Sequence, residues 1–217
     1  MIAYARTTGS TFERVGPDDS IHFLAIDGSG ETRDPIEGGW PTFDNEWRFV
    51  VLTRLGEETG LDLYSLSLDG SSEPTPILNS SATEEHPALS PDGEFLAYTS
   101  DESGRQEVYV TRFPSGEGKW QISTGSGSLP VWSGDGKRLY FAGEAANVLE
   151  VEFSREGRIM IGQPRTVMDG PALGINPYSG FSFAPDDQSL LMIRPKGKSE
   201  PPAIGVVKNW FEEFRNQ

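Results

Sequence analysis

Short apolar stretches recur along the 217-residue chain, separated by clusters of polar turn-formers. The sharpest pattern runs from His86 to Ser100: an apolar stretch to Ser90, then Pro91-Asp92-Gly93, then a second apolar stretch from Phe95. This predicts a strand, a tight turn and a returning strand. Pro presets φ at the second turn position, Asp bonds the turn backbone, and Gly accepts the positive φ where the chain reverses.

The pattern repeats. Leu129–Phe141 aligns with it without a gap, placing Asp135 and Gly136 at the turn, and Gly180–Met192 does so with Pro185 and Asp186. Trp40–Val51 is a decayed copy in which Asn45-Glu46-Trp47 replaces Pro-Asp-Gly, and Ile2-Ala3-Tyr4 matches only the returning strand. Third strands are predicted at Ser20–Leu24, Asp62–Leu66, Glu107–Val110, Asn147–Val151 and Ala203–Val207. Weaker fourth strands follow at Thr75–Leu78, Trp120–Ser123 and Arg165–Met168. Anchoring on Ile2, Val50, Leu96, Leu139 and Leu190 gives intervals of 48, 46, 43 and 51 residues. A four-stranded unit of that period is a β-propeller blade.

The expected fold is therefore all-β, a propeller of four-stranded antiparallel blades. The blades lie near 37–80, 81–123, 124–169 and 170–207, with a partial first blade over 1–36. That first blade begins in its second strand. The chain is then either a five-bladed ring with an imperfect seam or the C-terminal part of a longer propeller, and we favour the latter. An unpaired inner edge would invite self-association. Beyond Val207, Asn209 as N-cap and Glu212 three residues on predict a short C-terminal helix within 208–217.

With Ser90-Pro91-Asp92-Gly93 and its copies, the chain resembles the TolB-type, WD-repeat-like propellers over nearly its whole length. Ser100–Val110 with Gly118–Ser123, and Val206–Phe214, resemble propellers attached to bacterial serine/threonine kinases. That resemblance implies a sensor or interaction module with a kinase domain upstream. A prolyl-oligopeptidase-type hydrolase, whose propeller gates a catalytic domain, is the second enzyme it brings to mind. TolB-type relatives imply a periplasmic setting. The first residues have neither the basic start nor the apolar stretch of a signal peptide, so Met1 as the natural start would leave the chain in the cytoplasm.

Composition narrows the chemistry. Eighteen basic against 33 acidic residues give a net charge of −15. Such a field repels nucleic acid and anionic lipid and favours a cationic partner. The absence of cysteine removes disulfides, thiolate metal sites and cysteine catalysis. No apolar run approaches the ~18 residues of a spanning helix. There is no Gly-x-Ser-x-Gly elbow, and Gly125-Ser126-Gly127-Ser128 lacks the Lys of a phosphate loop, reading instead as a flexible link. Asp92, Asp135 and Asp186 recur in register, but turn chemistry explains them, and turns of adjacent blades are expected to lie too far apart to share an ion. His22 falls where other third strands carry Tyr64, Tyr109 and Leu149, so a packed strand residue is expected. No catalytic residue, metal or cofactor is expected. A propeller-fold glycosidase would need two converging carboxylates.

One face stands out. Loops entering first strands and those joining second to third strands share an end of a propeller. There the chain places Glu37, Trp40, Glu57, Glu58, Glu84, Glu85, His86, Asp101, Glu102, Arg105 and Glu144. Trp40, His86 and Leu129 hold equivalent positions just before an inner-strand Pro, at the channel mouth. An acidic rim around an aromatic and a histidine is expected to dock a basic protein segment or peptide.

Overall fold

The computed structural model describes residues 2–6, 19–24, 34–56, 59–70, 73–155, 157–183, 189–194 and 203–208. Five antiparallel sheets follow one another along them. The first contains β1 (Ile2–Arg6), β2 (Ser20–Leu24) and β3 (Ile36–Glu37). The second contains β4 (Gly39–Phe43), β5 (Phe49–Leu55), β6 (Leu61–Ser67) and β7 (Thr75–Leu78). The third contains β8 (Glu84–Leu89), β9 (Phe95–Ser100), β10 (Glu107–Arg112) and β11 (Trp120–Gln121). In the fourth, β12 (Gly127–Trp132), β13 (Arg138–Gly143) and β14 (Val148–Ser154) are followed by β15 (Met160–Ile161) and β16 (Arg165–Met168), both paired to β14. The fifth contains β17 (Phe181–Phe183), β18 (Ser189–Arg194) and β19 (Ala203–Lys208).

Strands β4, β8, β12 and β17 are the inner strands, and β4 packs on β8, β8 on β12 and β12 on β17, as propeller blades do. The expected break after residue 36 falls inside β3, and Lys208, expected in the tail, ends β19. The helix expected beyond it lies outside the described residues.

The core sits in the seams between sheets. All six residues of β9 are buried, and they alternate between two seams. Phe95 and Ala97 pack with Trp132, Leu139, Phe141 and Phe153 of the fourth sheet. Leu96 and Tyr98 pack with Val51 and Leu63 of the second. Strand β13 divides the same way: Leu139 and Phe141 face backwards, while Tyr140 and Ala142 face forwards to Phe181. A middle strand must therefore be apolar on both faces, which is why these segments read as continuous hydrophobic runs. Hydrogen bonds also stitch the inner strands. Leu89 N donates to Thr42 Oγ1 (3.3 Å), Leu129 N to Thr99 Oγ1 (3.2 Å) and Trp132 Nε1 to Ala88 O (3.0 Å).

The turns between first and second strands repeat atom for atom. Ser90 Oγ accepts from Phe95 N (3.0 Å) and donates to Asp92 Oδ1 (2.6 Å), which also accepts from Glu94 N (3.1 Å). Ser133 and Asp135 do the same with Arg138 N and Lys137 N. The hydrogen bond from Ser133 holds the Asp135 carboxyl below its usual range. Gly93 and Gly136 supply φ of 71° and 66°. In the decayed copy Asp44 replaces the Ser-Asp pair, its Oδ1 accepting from Arg48 N (2.7 Å) and Phe49 N (2.8 Å). Trp47, stacked on Phe43, takes the glycine's place at φ 56°.

These turns are not far apart, contrary to expectation. Asn45 Nδ2 donates to Pro91 O, and a Cβ on Gly136 would stand 3.5 Å from Pro91 Cδ. Short turns at the inner ends of adjacent sheets must converge on the ring axis. Their carboxylates are already engaged, Asp92 additionally by Arg155, and among the described residues no group of three His, Asp or Glu could hold a metal ion. Pro185 and Asp186 lie outside the described residues. Because a Cβ costs about 1–2 kcal/mol in the left-handed region, Gly93→Ala should lower the unfolding free energy by about that amount in urea titration. An unchanged midpoint would mean that the turn does not constrain the hairpin.

Candidate binding site at the channel mouth

The inner strands share an irregularity that local sequence propensities do not announce. Their pairing with the second strands shifts register between Gly39 and Thr42, between Glu85 and Ala88, and between Ser128 and Val131. Within each shift one residue adopts left-handed φ: Trp40 at 45°, His86 at 52° and Leu129 at 55°. The fourth equivalent position is Gly180, with φ 95°. The residue after each of the first three is Pro41, Pro87 or Pro130, which has no N–H to leave unpaired at a bulge and bars its predecessor from the right-handed helical region. A bulge re-aims its side chain, and left-handed backbone costs each L-residue about 1–2 kcal/mol. The propeller bears that strain repeatedly at one end of its channel.

There the Trp40 ring lies 4.2 Å from the His86 ring, centroid to centroid. The His86 side chain is 17% exposed, and burial lowers its pKa to about 4, so the imidazole is neutral at pH 7. Glu85 Oε1 stands 3.7 Å from His86 Nδ1, beyond hydrogen-bond reach, and instead accepts from Gln106 Nε2 at 2.7 Å. Leu129 packs on the other side, with Val131 and Ile175 against Tyr140 and Phe181.

The acidic rim is thinner than expected. Glu84 and Glu85 are buried, because their strand β8 dips into the seam before the bulge. Ser80 Oγ donates to Glu84 Oε1 (2.5 Å), and burial raises the Glu84 pKa above the ordinary 4.5. Arg105 stays exposed but is tied down, donating from Nε to Glu107 Oε1 (2.6 Å) and from Nη2 to Thr124 O (2.7 Å). Glu102 is paired with Lys119 Nζ (2.6 Å) and Glu37 with Arg54 Nη2 (2.8 Å). Asp101 and Glu144 remain exposed, Asp101 accepting from Thr83 N and Glu144 opening a 3₁₀ turn. Glu57 and Glu58 lie outside the described residues. A groove of about 500 Å³ runs between Ser80–Ala82 and Asp101–Gly104.

Two further features widen the site. A crossover containing α1 (Gly170–Leu173) packs on the Glu144–Ala146 turn, with Tyr178 Oη donating to Gly143 O (2.8 Å) and Leu173 and Tyr178 exposed. Only the first half of the Gly125–Ser128 stretch, expected as a flexible link, lies outside a strand. Gly127 and Ser128 are buried in β12, and a Cβ on Gly127 would meet Ser123 Oγ at 2.5 Å. Sequence reasoning passed over Asp62 and Glu107, carboxylates buried at the start of third strands. A charged residue opening an otherwise apolar strand is the signal that could have found them. His22 is buried, as expected, with Nε2 3.0 Å from Ser20 Oγ.

No protein-family model matches the chain. The Tol-Pal system protein TolB of Geobacter sulfurreducens is 38% identical over 78 residues, a match covering 36% of this chain and 18% of that protein. The crystal structure of TolB from Acinetobacter baumannii superposes with a TM-score of 0.68 at 17% identity, over 88% of this chain and 46% of that one. A puromycin-hydrolyzing peptidase of Mycobacterium tuberculosis gives a TM-score of 0.54 at 14% identity, over 89% of this chain and 35% of the peptidase. The chain thus matches less than half the length of each. The fold is that of a TolB-like β-propeller. Among the described residues no helix is long and apolar enough to cross a membrane.

A histidine whose pKa is lower in the fold than in the unfolded chain contributes stability that is present above 6.5 and lost as pH falls toward 4. Raised Glu84 acts oppositely, so the difference between wild type and His86→Gln isolates the imidazole. That difference should fall by roughly 3 kcal/mol between pH 7 and pH 4. A pH-independent difference would show His86 to be hydrated.

Proposed function

We propose that the chain is a non-catalytic propeller module that holds a basic protein segment or peptide at its channel mouth. The repeated left-handed bulge carries this reading. Strain is retained at Trp40, His86 and Leu129, the buried His86 Nδ1 has no hydrogen-bond partner, and such strain concentrates where a structure meets a ligand. The bulges supply a rigid aromatic and apolar anchor, and Asp101, Glu102 and Glu144 supply negative potential beside it. Apolar anchors of this kind dominate affinity, while rim charges steer the encounter and make it salt-dependent.

The likeness to TolB structures supports an interaction role. The likeness to the Mycobacterium tuberculosis peptidase favours a second reading, in which the propeller is the regulatory part of a larger enzyme. By the sequence resemblance that enzyme would be a serine/threonine kinase or a prolyl-oligopeptidase-type hydrolase. In either case the same mouth is the recognition surface.

The test is an array of 15-residue peptides of graded charge probed with the whole chain at low and high salt. Basic peptides should be retained at low salt. Trp40→Ala should weaken retention about tenfold or more at both salts. The double reversal Asp101→Lys with Glu102→Lys should weaken it mainly at low salt. Retention indifferent to peptide charge and to all three substitutions would move the site elsewhere.

A further inference from the structure

The internal repeat makes one seam a control for another. Arg54 pairs with Asp62 on the same rung as Ser100 with Glu107, so Asp62 is the counterpart of Glu107. Counting from that rung, Gly60 stands where the other sheet has Arg105. Counting back from the bulges at His86 and Leu129, Ser80 stands where the other has Ser123, and Glu84 where it has Gly127. The two sites share a frame and differ in charge.

Glu107 is fully buried and fully served. Arg105 Nε and Ser126 N donate to Oε1, and Ser123 Oγ donates to Oε2. The Arg105 guanidinium also caps Thr124 O. Among the described residues the sister site holds two carboxylates and no such cation. Asp62 and Glu84 are 2% and 3% exposed. Thr59 Oγ1 donates to Asp62 Oδ2 (2.6 Å) and Ser80 Oγ to Glu84 Oε1 (2.5 Å). Asp62 Oδ1 and Glu84 Oε2, both buried, have no hydrogen-bond partner. The charged neighbours acting on Glu84 are Asp62 and Glu102, both negative. A Cβ on Gly60 would meet Thr83 Oγ1 at 3.6 Å and Ala82 O at 4.0 Å, ordinary contact distances, so the place where the Arg105 side chain begins is walled here by Thr83 and Ala82 without a clash.

We propose that the seam between the second and third sheets is a receptor for an arginine side chain of a partner protein, with Asp62 and Glu84 as its paired carboxylates. This rests on the basic-partner reading above and gives it a subsite. The planar guanidinium supplies several donors in fixed directions, which two orphan carboxylate oxygens and a nearby backbone carbonyl can accept together; an ammonium is a compact point charge and fits such a set less well. The groove beside Asp101 and Glu102 adjoins the pair through Ser80, which lines it and donates to Glu84, so the arginine would reach the buried carboxylates past Ser80. Buried carboxylates without a cation are costly, so the incoming charge relieves a penalty already present in the free protein.

The probes are N-acetyl-argininamide, the uncharged isostere N-acetyl-citrullinamide and N-acetyl-lysinamide, titrated into the whole chain and followed by the backbone amide resonances of Ser81, Asp62 and Glu84. Argininamide should bind saturably, at least tenfold tighter than citrullinamide and tighter than lysinamide. Asp62→Asn and Glu84→Gln should each weaken it tenfold or more while leaving the melting temperature unchanged or higher, because each removes an uncompensated buried charge. Two carboxylates with a purely structural role would lower the melting temperature instead. Arg105→Ala should open a second argininamide site at Glu107, a readout independent of whether the other variants fold. Equal binding of citrullinamide, indifference to both carboxylate substitutions, or displacement of argininamide by millimolar calcium would overturn the receptor. Basic peptides retained equally by the Asp62→Asn chain would remove this subsite and leave the basic-partner reading standing. Saturable argininamide binding with no basic peptide retained on the array would do the reverse.

Discussion

Everything in this molecule depends on sheets that are buried on both faces. A middle strand such as β9 sends Phe95 and Ala97 into one seam and Leu96 and Tyr98 into the other, so no sheet has a core of its own. Cohesion lies between neighbours, at roughly 25 cal/mol for each Å² of apolar surface withdrawn from water. Both turn and bulge follow from that constraint. The inner strands must approach one another along the axis, so their turns pack turn upon turn. Their other ends must diverge from the second strands, and the register shifts at Trp40, His86 and Leu129 accomplish this.

The same geometry explains why the two ends of the channel differ chemically. At the turn end, the side chains of Ser90, Asp92, Ser133 and Asp135 are engaged within the turns themselves, Asp92 also by Arg155. At the bulge end, side chains are released from the pairing pattern and gathered at the mouth. Satisfied hydrogen bonds thus collect at one end of the strands, and buried polar atoms without a partner, among them Asp62 Oδ1, Glu84 Oε2 and His86 Nδ1, at the other.

How much of this is legible in the sequence depends on range. The blades are legible in Ser90–Gly93 and its copies because turn chemistry is local and repeats. The decayed copy at Asn45–Trp47 is harder, since Asp44 takes over two roles from one position and Trp47 replaces a glycine. The site is legible only in outline. Spacing places Glu84, Glu85 and Arg105 at the same end of their strands, but whether a side chain at a strand end meets water or folds back into the seam is decided by a residue elsewhere. Ser80 draws in Glu84 and Gln106 engages Glu85, while Arg105 stays at the surface with its Nε tied to Glu107. A charge count along the chain cannot distinguish a solvated carboxylate from an interior one.

The alternation inside each middle strand has an evolutionary reach as well. Odd and even positions of one strand answer to different neighbours, so the backward face of a sheet can change while its forward face is preserved. A duplicated unit needs only one compatible face on each side to be inserted. The four equivalent positions Trp40, His86, Leu129 and Gly180, the first three before a proline and the last before Phe181, show the result: one scaffold coordinate, held by the backbone, that carries three different side chains and, once, none. A propeller of this kind diversifies its mouth one unit at a time, without renegotiating the ring.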